Sequence, residues 1–357
     1  RAVLIPGTAL RTILLALPLP VILFILNTTL GPPRNYDVSL MDEGSVGSYR
    51  RWMQITLAFG IVVAALASHV TFALRRELVE ARALGPYQLL QKLGGGGMGE
   101  VWKARHEALK RPTAIKFLRP EVSGSDTVQR FENEVRNAAR LMHPNVIQIY
   151  DYGHTTEGLF YYAMEYLKGV DLARLLETEG PLPPERVVLF LGQACDGLQA
   201  AHDQGLVHRD VKLENLFVFT RGHEPDVLKV VDFGLVKDLR AEAKGSTVDG
   251  EFCGTLETLA PEVARGEPPT PACDLYGIGV VGCTLLTGEP VFEGSTPLEL
   301  VGQHLHVAPV PPSARGVDVP PALEAVLLQC LAKDPAARPA SARELAAALR
   351  ASVSSAS

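Results

Sequence analysis

His208-Arg209-Asp210-Val211-Lys212-Leu213-Glu214-Asn215, followed seventeen residues after Asn215 by Asp232-Phe233-Gly234, is the stretch on which the reading of this chain turns. Moving a phosphoryl group requires a carboxylate beside the acceptor hydroxyl and hard oxygen ligands for the divalent metal on the leaving diphosphate. Asp210 suits the first task; Asn215 and Asp232 suit the second. Each short motif alone is a weak signal, and their order and surroundings strengthen it. Leu206-Val207 leads into the first, Leu216-Phe217-Val218-Phe219 leaves it, and Leu228 to Val231 delivers Asp232. That pattern reads as short strands flanking a metal-lined loop.

Upstream, Leu93-Gly94-Gly95-Gly96-Gly97-Met98-Gly99-Glu100-Val101 holds the spacing G-x-G-x-x-G-x-V at Gly94, Gly96, Gly99 and Val101. Glycines there let backbone amides approach phosphate oxygens without obstruction. A dinucleotide-binding turn is the competing reading, but no helical apolar stripe follows Val101. The chain instead reaches Thr113-Ala114-Ile115-Lys116-Phe117, a β-rich run with one inward lysine. A buried ammonium requires a carboxylate partner. In the next helix, over about 126–142, Glu134 borders an apolar stripe of Val135, Ala138, Ala139 and Met142 and is the chosen partner, with Glu132 as the alternative.

Taken together, residues from about Tyr87 to Ala348, roughly three quarters of the chain, resemble a eukaryotic-like (Hanks-type) serine/threonine protein kinase of the bacterial kind. The glycine loop of that group reads G-G-M-G, as Gly96-Gly97-Met98-Gly99 does here. The resemblance implies an α+β, two-lobed fold over 86–348, with a small β-rich N-lobe and a larger helical C-lobe. It implies ATP and Mg2+ as cofactors, protein substrates with Ser/Thr acceptors, autophosphorylation, and the activity of a non-specific serine/threonine protein kinase.

Residue by residue, the resemblance gives Lys116 the α/β-phosphates and a pairing with Glu134. It gives Asp210 the acceptor hydroxyl, Lys212 the charge on the transferring γ-phosphoryl, and Asn215 and Asp232 the magnesium. Val101, Ala114 and Phe217 sandwich the adenine, and backbone groups of Glu165 and Leu167, in the hinge-like Met164-Glu165-Tyr166-Leu167, read the base edge. Lys212 matches serine/threonine rather than tyrosine kinases. Thr255, ahead of Ala260-Pro261-Glu262, matches the threonine that bridges the catalytic aspartate and lysine. Glu262 and Arg338 match a buried structural pair, and Asp274 matches the anchor of the catalytic-loop backbone, with a helix N-cap as its plainer reading.

Departures from the pattern are Leu256-Glu257-Thr258-Leu259 where an aromatic usually precedes Ala260, Leu213 where proline is common, and the extra Gly95, which loosens the phosphate lid. Arg209 beside the catalytic aspartate points to a phosphorylated activation loop, with Ser246, Thr247, Thr255 and Thr258 as acceptors. Asp249 and Glu251 supply part of that charge, which predicts basal activity before any autophosphorylation.

The first 85 residues differ in composition and read as a membrane region. Trp52 to Leu74 is about 23 residues without a formal charge, bracketed by Arg50-Arg51 and Arg75-Arg76, and is long enough to cross a core of ~30 Å. An earlier run over 12–30 is interrupted by Pro18 and Pro20; it reads as a second span, with a cleaved signal peptide as the rival. Because ATP is intracellular, the expected place is the cell (inner) membrane with the kinase-like part cytoplasmic. Arg1, Arg11, Arg75, Arg76 and Arg82 then fall inside, against Arg34, Arg50 and Arg51 outside. A juxtamembrane helix over 75–84 ends at Gly85-Pro86 and keeps the kinase-like region near the lipid bilayer. It offers homodimerisation or helix rotation as a route for a signal, or acts as a passive tether.

A formal charge of −6 with no basic tract argues against nucleic-acid binding. The five cysteines are odd in number and widely spaced, which suits reduced thiols rather than a metal site. The tail over 349–357 reads as disordered. Two other functions compete: a pseudokinase-like membrane scaffold, disfavoured by intact Lys116, Asp210, Asn215 and Asp232, and a small-molecule kinase, disfavoured by Ala260-Pro261-Glu262 with Arg338.

Overall fold

The computed structural model describes residues 83–96, 99–118, 132, 135–155, 158–233 and 256–354. Alternation of side chains along extended backbone builds the small lobe. Strands β1 (Ala83–Leu84), β2 (Tyr87–Gly96), β3 (Gly99–His106), β4 (Pro112–Leu118), β5 (Ile149–His154) and β6 (Phe160–Glu165) form one six-stranded sheet in the order β1-β2-β3-β4-β6-β5. Both faces are apolar because successive residues point opposite ways. Ala104, Ile115, Tyr161 and Ala163 pack on one face with Leu84 and Tyr87. Ala114, Leu118, Phe160, Tyr162 and Met164 pack on the other, against Val135 and Ala138.

The large lobe follows. A second sheet, β7 (Gly169–Asp171), β8 (Leu216–Arg221) and β9 (Glu224–Val230), lies beside helices α1 (Leu172–Glu179) and α2 (Pro184–His202). Then come α3 (Pro261–Ala264), α4 (Pro271–Thr287), α5 (Pro297–His306), α6 (Pro321–Cys330) and α7 (Ala342–Ser354). The core is carried by α2 and α4, whose Phe190, Leu191, Leu198, Leu275, Tyr276 and Ile278 are fully enclosed. Gly277 of α4 is where the helix meets the loop over 208–215: a Cβ there would lie 2.8 Å from the Val211 carbonyl oxygen.

Several boundaries differ from the sequence reading. The helix expected over about 126–142 has turned by Ala139-Arg140, and Met142 is 81% exposed rather than part of the stripe. The N–H groups of Arg140 and Leu141 turn to the carbonyls of Asn137 and Ala138, i−3 bonds that tighten and close the last turn before Met142. Ala83–Leu84, given to a juxtamembrane helix, are strand, with Leu84 buried against the sheet and Gly85 at φ 55° making the turn into β2. The tail given as disordered is helical through Ser354, since Leu349 and Ser352 are buried. The two expected spans, 12–30 and 52–74, lie outside the described residues; among the described residues no helix is long and apolar enough to cross a membrane. Cys195, Cys273, Cys283 and Cys330 are free and buried.

Candidate active site

Strand register sets the upper half of the site. Val101 pairs with Lys116 across β3 and β4, and Lys116 pairs with Tyr162 across β4 and β6, so the three side chains share one face. From there Lys116 Nζ reaches Asp232 Oδ2 at 2.7 Å, and the Tyr162 hydroxyl donates to Asp232 Oδ1 at 2.9 Å. Burial pushes the Asp232 carboxyl upward, but the Lys116 ammonium, the bonds from Lys116 and Tyr162, and nearby His208 outweigh it and hold the carboxyl below its ordinary range. Burial and the same carboxylate push the Tyr162 hydroxyl well above its ordinary value, which keeps it a donor. Asp232 sits at φ 53°, a left-handed conformation that costs on the order of 1–3 kcal/mol for a non-glycine residue and persists only where contacts enforce it. Glu134, the chosen partner of Lys116, lies outside the described residues. The alternative, Glu132, instead pairs with His154 at 3.3 Å.

The lower half hangs from one buried carboxylate. Asp274 accepts from the backbone N–H of His208 and of Arg209, both at 2.8 Å, and lies 2.8 Å from His202 Nε2. It stands within the first turn of α4, where Thr270 is the N-cap, so the cap reading is replaced by the loop-anchor one. The anchored loop holds Arg209 at φ 65°. The N–H of Asp210 donates to His208 Nδ1 at 3.2 Å, which leaves Nε2 of that ring to donate to the Val231 carbonyl at 3.0 Å. The ring itself packs on Phe233, with centroids 4.8 Å apart.

Asp210 is buried and is gripped by Asn215, whose Nδ2 donates to its carbonyl at 2.7 Å and to its carboxylate at 3.1 Å. Lys212 Nζ stands 3.7 Å from the same carboxylate. Val231 N–H donates to the Asn215 carbonyl at 2.9 Å, which ties the Asp232 segment to the loop. The structure thus brings Lys116 to Asp232, and Lys212 and Asn215 to Asp210.

Gly94 and Gly96 lie at the end of β2, and Gly99 opens β3. Gly99 has a structural reason to lack a side chain: at φ 146° a Cβ would sit 1.8 Å from the Phe117 carbonyl oxygen. Val101 and Ala114 lie on the Lys116 face. Phe217, on β8, alternates with the buried Leu216 and Val218 and so points away from the large-lobe core. Leu167 packs against the small-lobe cluster.

Glu165 carries more than the sequence offered. Its N–H donates to Gln148 at 3.0 Å and so belongs to the sheet, while its carboxylate accepts from Lys229 Nζ at 2.5 Å and from Gln148 N–H at 2.8 Å. Thr255 lies outside the described residues, as do Ser246, Thr247, Asp249 and Glu251. Thr258, together with Lys212, Glu214 and Glu257, lines a small hollow beside the loop.

Tyr162 and Lys229 were not found by sequence reasoning. A tyrosine in an apolar strand reads as core, and only the register opposite Lys116 signals its position.

The comparisons agree with one another. The family model described as Protein kinase domain matches residues 87–349. Serine/threonine-protein kinase pkn3 of Myxococcus xanthus is 41% identical over 270 residues, covering 74% of this chain and 49% of that protein. Serine/threonine-protein kinase PknB of Mycolicibacterium smegmatis is 40% identical over 267 residues, covering 74% of this chain and 42% of its own length. The chain therefore spans about half the length of the curated relatives it matches. Among solved structures, the PknI kinase domain of Mycobacterium tuberculosis superposes with a TM-score of 0.60 at 27% identity, over 76% of this chain and 97% of that one.

Proposed function

The chain belongs to the protein kinase family, and from that premise we propose that it transfers the γ-phosphoryl group of ATP to serine and threonine hydroxyls of proteins, itself included. The observation that carries this reading is the tied pair of carboxylates: Asp210 with Asn215 and Lys212 around it, and Asp232 with Lys116 upon it. Asp210 orients the acceptor hydroxyl and takes its proton; two hydrogen bonds hold its backbone and a third, from Asn215, orients its carboxylate. Lys212 neutralises charge on the group in flight. Lys116 holds the α/β-phosphates.

The donor set fits Mg2+. Asn215 and Asp232 offer an amide oxygen and a carboxylate, and turning the Asn215 nitrogen onto Asp210 sets the amide oxygen as the end that can face a metal. When bound, Mg2+ neutralises charge on the phosphate oxygens.

The test uses labelled ATP with Mg2+ on wild type and Asp210→Asn, with phosphosites mapped. Wild type labels on Ser and Thr, and the variant loses roughly 10²–10⁴-fold in rate while still binding nucleotide. No label on wild type overturns the reading.

Placement in the cell membrane is the second part of the proposal and rests on the uncharged run Trp52 to Leu74 between arginine pairs. Retention in the membrane pellet after alkaline extraction supports it, and release overturns it.

A further inference from the structure

We propose that Tyr162 is a positioning residue for the metal-binding carboxylate, a fixed neutral anchor on Asp232 Oδ1 that outlasts the mobile one on Oδ2. The inference rests on the functional reading above and deepens it. Its ground is geometric. Tyr162 stands opposite Lys116 in the β4–β6 register, is 2% exposed, and donates its hydroxyl to Oδ1 at 2.9 Å while Lys116 holds Oδ2 at 2.7 Å.

The two anchors differ in kind. Lys116 ends in a cation on a four-carbon stem, and the proposed reaction draws that cation to the phosphates. Tyr162 ends in a hydroxyl on a rigid ring packed in the cluster of Ala114, Phe160 and Met164. When the ammonium leaves Oδ2, the hydroxyl still fixes the plane of the carboxylate. A carboxylate oxygen has two lone pairs, so accepting from Tyr162 leaves Oδ1 able to bind metal as well. Asp232 also sits in a left-handed backbone conformation, φ 53°, which makes side-chain anchors necessary to hold it ready.

Groups that orient metal ligands from behind commonly tune metal affinity by about 10–100-fold. The experiment titrates Mn2+ by calorimetry into the full chain in detergent, saturated with a non-hydrolysable ATP analogue, for wild type and Tyr162→Phe. The analogue is also titrated without metal. We expect about a tenfold loss of Mn2+ affinity in the variant, metal-free analogue affinity within about twofold of wild type, and a raised Mg2+ requirement in the kinase assay that saturating Mg2+ largely corrects. Unchanged Mn2+ affinity overturns the inference. So does an equal loss of both affinities, since a merely structural tyrosine would act that way. Wild type that binds no Mn2+ with the analogue sinks the functional reading instead, which separates the two failures.

Discussion

His304 shows how a single buried side chain sets a pH limit. It is fully enclosed, its Nδ1 lies 2.8 Å from the Tyr276 hydroxyl, and its Nε2 has no hydrogen-bond partner among the described residues. Burial, and then the charge of Lys333, push its pKa down to about 4, against a small upward pull from the backbone of Glu257 and Leu256. The unfolded imidazole titrates near ~6.5, so between that value and about 4 the unfolded chain takes a proton that the folded one refuses. Stability is therefore full above ~6.5, falls as pH drops through that window, and levels off below the folded value, a total of about 3 kcal/mol. His304→Gln, which can still meet the Tyr276 hydroxyl, should flatten the acid limb by about that amount in urea unfolding at several pH values. Parallel limbs in the two proteins would refute the assignment. Residues of this kind are poorly legible in a sequence, because a histidine in a helix carries no mark of enclosure. Asp210, Asn215 and Asp232 were legible for the opposite reason: their spacing within two short segments is dictated by chemistry.

At the level of elements, the fork between Glu262 and Arg338 joins α3 to the turn before α7. Both N···O distances are 2.7 Å, both residues are nearly unexposed, and Arg338 also donates to the carbonyls of Ala332 and Ala272. Arg338→Met strands the Glu262 charge in a dry site and should cost about 3–5 kcal/mol, read as a lower midpoint in denaturant unfolding with an unchanged slope. A loss below about 1 kcal/mol would mean that the pair is solvated in solution. The double change Glu262→Gln with Arg338→Met should recover part of the loss, because it removes the uncompensated charge. This pairing was legible from motifs far apart in sequence, whereas element ends were not. Nothing in Ser352-Val353-Ser354 announces a helix; what holds α7 to its end is the packing of Leu349 and Ser352, a tertiary effect. Likewise the expected apolar stripe overran to Met142 because periodicity continued past the point where the last turn tightens at Arg140 and Leu141.

Across the whole kinase unit, the two lobes are joined by more than the hinge. Residues 145–148 run along β9: Ile147 N–H donates to the Val230 carbonyl at 2.9 Å, Val230 N–H to Asn145 at 2.8 Å, and the Asn145 side chain to Leu228 at 2.8 Å. Lys229, on β9, closes this seam by donating to Val146 at 3.0 Å and to the hinge carboxylate of Glu165 at 2.5 Å. Lys229, which precedes Asp232 by three positions, thus ties the large lobe's second sheet to the last residue of β6 in the small lobe. Lobe architecture was readable from the order of motifs, but this seam was not, since it depends on a parallel bridge between Val146 and Val230 that no local pattern encodes. Lys229→Met keeps the stem and removes the charge, leaving Glu165 half-satisfied, which should cost about 1.5–3 kcal/mol. Because the loss falls on the seam, amide exchange should quicken at 145–148 and 227–230 while α2 and α4 keep their protection. Nucleotide affinity should fall as well, since Glu165 begins the hinge proposed to read the base. Uniform quickening across the large lobe would show instead that Lys229 serves general stability, and unchanged exchange at 145–148 would show that backbone pairing alone holds the lobes in register.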